Sequence, residues 1–471
     1  MTAKYKLSST LNPNKVFLIK SSELEGRLDP SWYVYLKSIQ NFKHKKVAFK
    51  NLLTENPQYG ANEIGIERNT EAEPRYIRIT DINDFGELEK NELGKTATVI
   101  EEKYFLKEND LLLARSGNTV GKSYLHKNVG YDCFFAGYMI RFKIDTSKVL
   151  PQYIFAYTQT NFYKKWVNAI QRTTGQPNIN ADEYKNLEIP LPDISTQSKV
   201  TNIYFNFLKQ KQTNEAQAEK LLASIDDYLL KELGITLPKQ SENTLKSRMF
   251  VTSLKEISGS RFDPNYHQKY FQDLFTSFKN GKYEFTQIRK YASFQAGYAF
   301  KSTDYVEQSD CLLITIKNIR QNQIDLEDVT FLPNDFYEQY ADFQINKNDL
   351  LIAMTGATIG KVGIYNHPQM SLLNQRNGII KPNNINSIYL MSLLNLSLFQ
   401  KIILRNSNGG AQPNISETDI MRISIPLPPL TKQKEIAERI TSIRQEAQKL
   451  KDKTKETMEK ANKEIEKILL G

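Results

Sequence analysis

Cysteine and histidine are scarce in this chain of 471 residues: two of the first, Cys133 and Cys311, and four of the second, His44, His126, His267 and His367. Two cysteines cannot build a disulfide framework, and both are expected to be reduced and buried, as in a cytoplasmic protein. No histidine has a His or Cys neighbour at metal-ligand spacing, so no bound metal is expected. Long apolar runs are missing too. None approaches the roughly 18 residues of a membrane span, and the N-terminal MTAKYKLSSTLNPNK lacks the apolar centre of a secretory signal. There is no Gly-x-Ser-x-Gly elbow for a nucleophile. There is no Asn/Asp-Pro-Pro-aromatic loop to grip a flipped adenine, since the prolines of PLPD and PLPPL follow leucine. Gly117 to Ser123 has the look of a nucleotide loop, but three residues separate Gly117 from Gly121 where a P-loop needs four. Catalysis would have to rest on carboxylates. The recurring ones, Asp110 and Asp349, each lead an apolar strand, where Asn-Asp is ordinary turn chemistry. The chain is therefore not expected to be an enzyme.

What the chain has is basic charge, aromatic rings and a repeat. Lys and Arg number 63 against 53 Asp and Glu, a net charge of +10, which favours polyanions such as nucleic acid. The 25 tyrosines and 24 phenylalanines supply core and, mixed with Lys, Arg, Asn and Gln, suit a polar basic interface. The repeat is the strongest signal. INKNDLLIAMTGATIGK (345–361) echoes LKENDLLLARSGNTVGK (106–122), with Asp349, Gly356, Gly360 and Lys361 each 239 residues after Asp110, Gly117, Gly121 and Lys122. Arg261-Phe262-Asp263-Pro264 repeats Arg27-Leu28-Asp29-Pro30, Gly410-Ala411-Gln412-Pro413-Asn414-Ile415 repeats Gly175-Gln176-Pro177-Asn178-Ile179, and Ile425-Pro426-Leu427-Pro428 repeats Ile189-Pro190-Leu191-Pro192. A period this long marks a duplicated domain. The copies agree at punctuation and differ elsewhere, as one scaffold with two reading surfaces would.

Each half runs from a mixed globular region to a Pro-rich stop and then to a long polar helix. The globular region of the first half spans about 21–192. Tyr76 to Ile79 and Tyr138 to Ile144 alternate as half-buried strands, Asp81 to Gly86 is a turn, Asp110 to Ala114 is a buried strand entering a glycine loop, and Pro151 to Trp166 is a helix. In the second half Cys311 to Ile316, Asp349 to Ala353 and Tyr389 to Ile403 repeat this. The helices that follow carry apolar points at Val200, Tyr204, Phe207, Ala218, Leu221, Ile225 and Tyr228, and at Ile436, Ile440, Ile443, Ala447, Leu450, Ala461, Ile465 and Ile468. Steps of four and three define a coiled-coil seam, on which Lys211, Asn214, Thr454 and Thr457 also fall as register-fixing polar residues. At about 38 residues each helix would be roughly 57 Å long. A dimerisation zipper fits the same seam; an intramolecular antiparallel pair is preferred, because both seams sit in one chain at equivalent places. Gly234 is placed to end the first helix, and 236–248 reads as a polar linker. The fold class is α+β: two tandem duplicated α/β domains separated by two long antiparallel coiled-coil helices.

The glycine loops read as tight turns after buried strands, with glycine supplying positive φ. Such a turn exposes backbone N–H groups and a lysine that suit a phosphate oxygen; a purely structural turn fits the same residues. The loops around Gln176-Pro177-Asn178 and Gln412-Pro413-Asn414 read as turns passing the chain to the long helix, with amides able to reach base edges.

Taken together, the D-L-L-x-A-x-x-G-x-x-x-G-K loop, the Q-P-N-I turn, the I-P-L-P stop and the long helix, each present twice, resemble the specificity subunit of a Type I restriction-modification enzyme. The resemblance spans essentially the whole chain. It is most specific over QPNISETDIMRISIPLPPLTKQKEIAER (412–439) and looser in the first copy, where Pro192-Asp193-Ile194-Ser195 replaces Pro-Pro-Leu-Thr. It implies two target recognition domains, 1–193 and 251–429, two spacer helices, 194–234 and 430–471, and a linker at 235–250. Each recognition domain would read one half of a bipartite asymmetric site in double-stranded DNA, and the helices would set the unread gap. The partners implied are two DNA methyltransferase subunits and up to two ATP-dependent restriction/translocase subunits, with S-adenosylmethionine, ATP and Mg bound by those partners and no membrane involved. The family's recognition domains vary by design, so DNA-contacting candidates come from charge and placement: Arg75, Arg78, Arg115, Lys122, Arg172, Gln176, Asn178, Lys317, Arg320, Lys361, Arg376, Arg405, Gln412 and Asn414. Candidates for the helix seam and partner docking are Val200, Tyr204, Phe207, Leu221, Ile225, Ile436, Ile440, Ile443 and Leu450, with docking expected on outer helix faces around Phe207 and Ile443. Two other readings fit the same residues: the DNA recognition module of another modification or defence system, and a two-domain protein-binding scaffold.

Overall fold

The computed structural model describes residues 30–39, 42–89, 93–171, 177–239, 264–407 and 413–470, with isolated positions 8, 11, 16, 18, 19, 249, 251, 253 and 254. The chain divides into two compact units, residues 1–215 with 451–471, and residues 216–450. Neither repeat of the Arg-x-Asp-Pro motif can be placed, because residues 27–29 and 261–263 lie outside the described residues, as does the linker stretch 240–248.

In the first unit a four-stranded antiparallel sheet runs in the order Gln58–Tyr59, Met139–Phe142, Leu111–Ala114, Ser123–Leu125. A second four-stranded sheet follows the order Ile66–Glu67, Lys95–Thr96, Arg75–Ile77, Cys133–Phe135, the last pair parallel. Leu111 to Leu113 form the central strand of the first sheet and are completely buried. The helices cover one side: Pro151–Tyr157, entered by a proline at its first turn, and Asn161–Ile170. The second unit repeats the plan. Ala292–Ala296, Asn377–Pro382, Leu350–Ala353 and Val362–Ile364 form its antiparallel sheet, and Thr330–Leu332, Cys311–Ile314 and Met370–Leu373 form its second. Leu111 faces Phe142 across the strand pair as Leu350 faces Ile380.

Three local expectations need correction. The segments 76–79 and 138–144 do not alternate between core and solvent. The strands Arg75–Ile77 and Met139–Phe142 are buried at every position, because Ile140 and Phe142 join the core shared with the helices while Met139, Tyr76 and Ile77 join the core of the second sheet. Arg141 tolerates this position by donating to the carbonyls of Phe105, at 2.7 Å, and Lys103, at 3.0 Å, with the Asp110 carboxylate 3.4 Å away. The helix expected from 151 to 166 is two helices. Thr160 is fully buried, its hydroxyl donates to the Tyr157 carbonyl and accepts from the Tyr163 amide, and it starts a new helix there. The equivalent helices Ser387–Asn395 and Ser397–Asn406 meet at 71°.

Both cysteines are free and buried, and burial pushes each thiol up to about 11. Among the described residues no single helix is long and apolar enough to cross a membrane.

The Pro-rich stops are anchored identically in both units. Glu188–Pro190 pairs with Lys46–Ala48, and Ser424–Pro426 with Phe285–Gln287. The buried amide of Gln197 donates to the Pro192 carbonyl and accepts from the Leu150 N–H; Gln433 does the same with Pro428 and Asn386, all four bonds at 2.8–2.9 Å. Tyr153 donates to the Pro190 carbonyl and Tyr389 to that of Pro426. The long helix is thus fixed to its globular region from its first turn.

The long helices are Ile194–Leu233, 40 residues, and Leu430–Leu470, 41 residues. Gly234 ends the first with φ at +66° and a hydrogen bond from Ile235 N–H back to the Leu230 carbonyl at 2.9 Å. The helices pair antiparallel. Asn214 meets Thr454 in the first unit, and Lys432 lies 2.8 Å from Glu232 in the second. Val200, Tyr204 and Phe207 share a core with Ala461, Ile465 and Leu469, whereas Ile225, Leu229 and Leu233 share one with Ile436, Ile440 and Ile443. Leu221 and Leu450 are half-buried.

Phe207 and Ile443 do not lie on outer helix faces as expected, since each side chain is only 3% exposed. The buried stripe is wider than a two-helix seam because each helix also packs on its globular region, where the Phe207 ring lies 5.8 Å from that of Phe85. Lys211 faces that region and not the partner helix: its ammonium lies 3.1 Å from Glu87 and 2.8 Å from Glu215. The Thr457 hydroxyl donates to the Lys453 carbonyl of its own helix.

Candidate nucleic-acid interface

The two sequence motifs that recur in each copy meet in space. In the first unit the Gly117 amide donates to the Pro177 carbonyl at 3.0 Å, and the Ile179 amide to that of Arg115 at 2.8 Å. In the second, Gly356 donates to Pro413 and Ile415 to Met354, both at 3.0 Å. A third segment joins them, the turn between two strands: Arg115 N–H donates to the Tyr138 carbonyl at 2.9 Å, and Met354 N–H to the Arg376 carbonyl at 3.0 Å. Three loops from distant parts of the chain are therefore tied into one cluster in each unit, with the same backbone bonds and different side chains. In the first unit Asn62, Arg115, Ser116, Tyr138 and Asn178 surround a shallow depression of about 350 Å³.

Glycine makes the cluster possible at specific points. Gly121 and Gly360 hold φ of +85° and +82°, and a Cβ there would meet Val167 Cγ2 at 2.6 Å and Ile403 Cγ2 at 2.8 Å. Gly60 and Gly297 let the chain pass against the turn, where a Cβ would lie 2.4 Å from the Ala136 oxygen and 2.1 Å from the Asn374 oxygen.

The glycine loop is not the phosphate cradle its sequence suggested. Gly117, Val120, Gly121 and Lys122 all donate their amides within the protein, as do Gly356, Ile359, Gly360 and Lys361. The Lys122 ammonium pairs with Asp84 at 2.7 Å. The loop spends its donors on holding the cluster together.

Several candidate cations are likewise engaged inside their own unit. Arg75 is corrected to a structural residue: it is 4% exposed, lies in a sheet strand and donates to the Tyr131 hydroxyl and the Glu89 carbonyl. Arg78 caps a turn through the buried Asp81 at 2.8 Å. Lys317 pairs with Asp328 at 2.8 Å and Arg320 with Asp325 at 3.5 Å. Arg405 lies 3.6 Å from the centre of the Tyr266 ring and donates to that residue's carbonyl. Arg172, Gln176 and Gln412 lie outside the described residues.

The cluster brings together Arg115 and Asn178 in one unit, and Arg376 and Asn414 in the other. Arg115 is half-buried with its guanidinium 4.9 Å from the centre of the Tyr59 ring; Asn178, Arg376 and Asn414 are exposed. Lys361, in the loop beside Arg376, has no ion pair among the described residues. Tyr138 was missed. It is 68% exposed yet sits within a strand pattern that suggested a buried role, and only its register with Arg376 across the repeat could have flagged it. No group of three His, Cys, Asp or Glu among the described residues could hold a metal.

Comparisons with known proteins match this duplicated plan. The family model described as Type I restriction modification DNA specificity domain matches residues 31–223 and 274–460. The MjaVIII Type I restriction enzyme specificity subunit of Methanocaldococcus jannaschii is 25% identical over 384 residues, covering 80% of this chain and 82% of that one. The EcoBI Type I specificity subunit of Escherichia coli is 20% identical over 309 residues, covering 65% and 62%. A solved chain from work on complex assembly and conformational transition of the type I R-M system has the same fold, with a TM-score of 0.50, 13% identity and coverage of 90% and 96%.

Proposed function

The chain belongs to the Type I restriction-modification DNA specificity family, and from that premise we propose that it reads a bipartite asymmetric DNA site, one half through each unit's loop cluster. It is a non-catalytic DNA-recognition subunit, whose partners are DNA and the methyltransferase and restriction subunits of a type I complex. The observation that carries the assignment of the reading surface is the doubled cluster. Identical backbone bonds tie Gly117 to Pro177 and Gly356 to Pro413, while the side chains around them differ. A fixed frame with variable groups is what two unlike half-sites require, since base edges are told apart by donor and acceptor placement.

The domain roles follow from this reading: residues 1–193 and 251–429 carry the recognition domains, and the helices at 194–234 and 430–471 set the gap between half-sites. Two methyltransferase subunits and up to two restriction/translocase subunits complete the complex in the cytoplasm, bringing S-adenosylmethionine, ATP and Mg. The net charge of +10 supports DNA as the ligand. The test is DNA binding by the assembled methyltransferase complex over a salt series. Affinity is expected to fall linearly on logarithmic axes with salt, as phosphate contacts demand. Absence of DNA affinity at low salt would favour the protein scaffold instead.

A further inference from the structure

We propose that the turn ending in Tyr138 in the first unit and Arg376 in the second is the base-contacting tip of each domain, with Arg376 reading a guanine. The proposal rests on the functional reading above and names the residues that act in it.

Four observations converge on this position. First, it is the same place in both copies: the carbonyl of each residue accepts from the residue after the buried strand, Arg115 or Met354. Second, the turn is rigid. Gly60 and Gly297 pack their backbones against it, and Gly297 N–H donates to the Asn377 carbonyl at 2.9 Å on its far side. A side chain on such a frame loses little freedom on binding, which favours its use as a recognition group. Third, the side chains are presented to solvent. Tyr138 is 68% exposed, Arg376 is exposed, and neither side chain has a hydrogen-bond or ion-pair partner among the described residues. By contrast Arg78, Lys122, Lys317 and Arg320 are all paired with carboxylates.

Fourth, Arg376 holds φ at +66°, a conformation that favours glycine and that a long side chain adopts at a cost. Among the described residues its guanidinium has no hydrogen bond or ion pair that would hold an arginine there. A strained residue kept without a structural return points to use outside the fold. Arginine presents a planar fork that matches the O6 and N7 acceptors of guanine in the major groove. Tyrosine offers a ring and a hydroxyl to a different base. One frame thus carries two unlike readers.

The strain supplies its own control. Arg376→Gly removes the guanidinium and relieves the positive φ, so the variant is expected to melt no lower than the parent. The full chain, with its methyltransferase, is expressed in a host, and methylated motifs are read by long-read sequencing. In the parent, two fixed blocks flank an unread gap. In Arg376→Gly one guanine position of one block is expected to become degenerate, with discrimination there lowered about 5- to 150-fold, while the other block stays fixed. Tyr138→Ala is expected to relax the other block only.

An Arg376→Gly motif identical to the parent's overturns the proposal. So does a uniform drop in methylation with both blocks intact, which would mark a phosphate contact. A parent that produces no split motif overturns the functional reading beneath it, and the proposal with it.

Discussion

The side-chain amide of Asn214 donates to the hydroxyl of Thr454 at 3.1 Å, inside the pair of long helices, with both residues less than a tenth exposed. A polar pair among apolar seam residues is satisfied in one alignment only, so it fixes register at some cost in stability. Under the proposed spacer role of this helix pair, register is the property that matters. Asn214→Ala removes this buried hydrogen bond, and denaturant titration is expected to show a loss of about 0.5–1.5 kcal/mol. Replacing both, Asn214→Leu with Thr454→Val, is expected to restore most of that stability.

Ile440 is fully buried about a quarter of the way along the second long helix. Proline there removes a helix N–H and clashes with the preceding turn, costing about 3 kcal/mol or more. Ile440→Pro is expected to abolish assembly with the methyltransferase and DNA methylation together, read by size-exclusion chromatography and methylation assay. A complex of normal size would contradict a ruler made of these helices.

The paired glycines of the second loop separate backbone strain from crowding. At Gly356 φ is +70° and an added Cβ meets nothing, whereas at Gly360 φ is +82° and it meets Ile403 at 2.8 Å. Gly356→Ala is expected to cost about 1–2 kcal/mol, from strain alone. Gly360→Ala is expected to cost about 1–3 kcal/mol more, because Ile403 is locked in the core. Equal denaturation midpoints would show that the loop relaxes around the added methyl.

His126 is buried with its ring nitrogen 3.1 Å from the Tyr124 hydroxyl, and burial lowers its imidazole from 6.5 to about 4. The unfolded chain takes up this proton near pH 6.5 and the folded chain only near pH 4. Between those values the unfolded state holds more protons, so stability falls as pH drops from 6.5 to 4 and levels off below. The contribution is on the order of 3 kcal/mol. His126→Gln is expected to flatten the stability-against-pH curve of the chain by that amount within this window, and an unchanged slope would assign the acid sensitivity elsewhere.

The duplication, the buried strands at Leu111 and Leu350 and the two long helices were legible in the sequence because their signals are local: spacing, a glycine pair, heptad steps. The burial of Arg141 was not. Its fitness for the core depends on carbonyls from Phe105 and Lys103, supplied by a distant loop. The inward turn of Phe207 and Ile443 was hidden for the same reason, since a heptad pattern cannot say whether a third surface covers the seam. At the candidate interface, charge alone singled out Arg75 and Lys122, which fold back on their own domain. What the sequence could not convey was that the glycine loop, the Q-P-N-I turn and the turns carrying Tyr138 and Arg376 are neighbours, a fact of topology.

The most direct test of the account is base methylation across a host genome, read by long-read sequencing, with and without this chain co-expressed with its methyltransferase. The account predicts a new split motif, two short fixed blocks around a gap of constant length, that appears only when the chain is present. Methylation with the partner active and no new motif would contradict it.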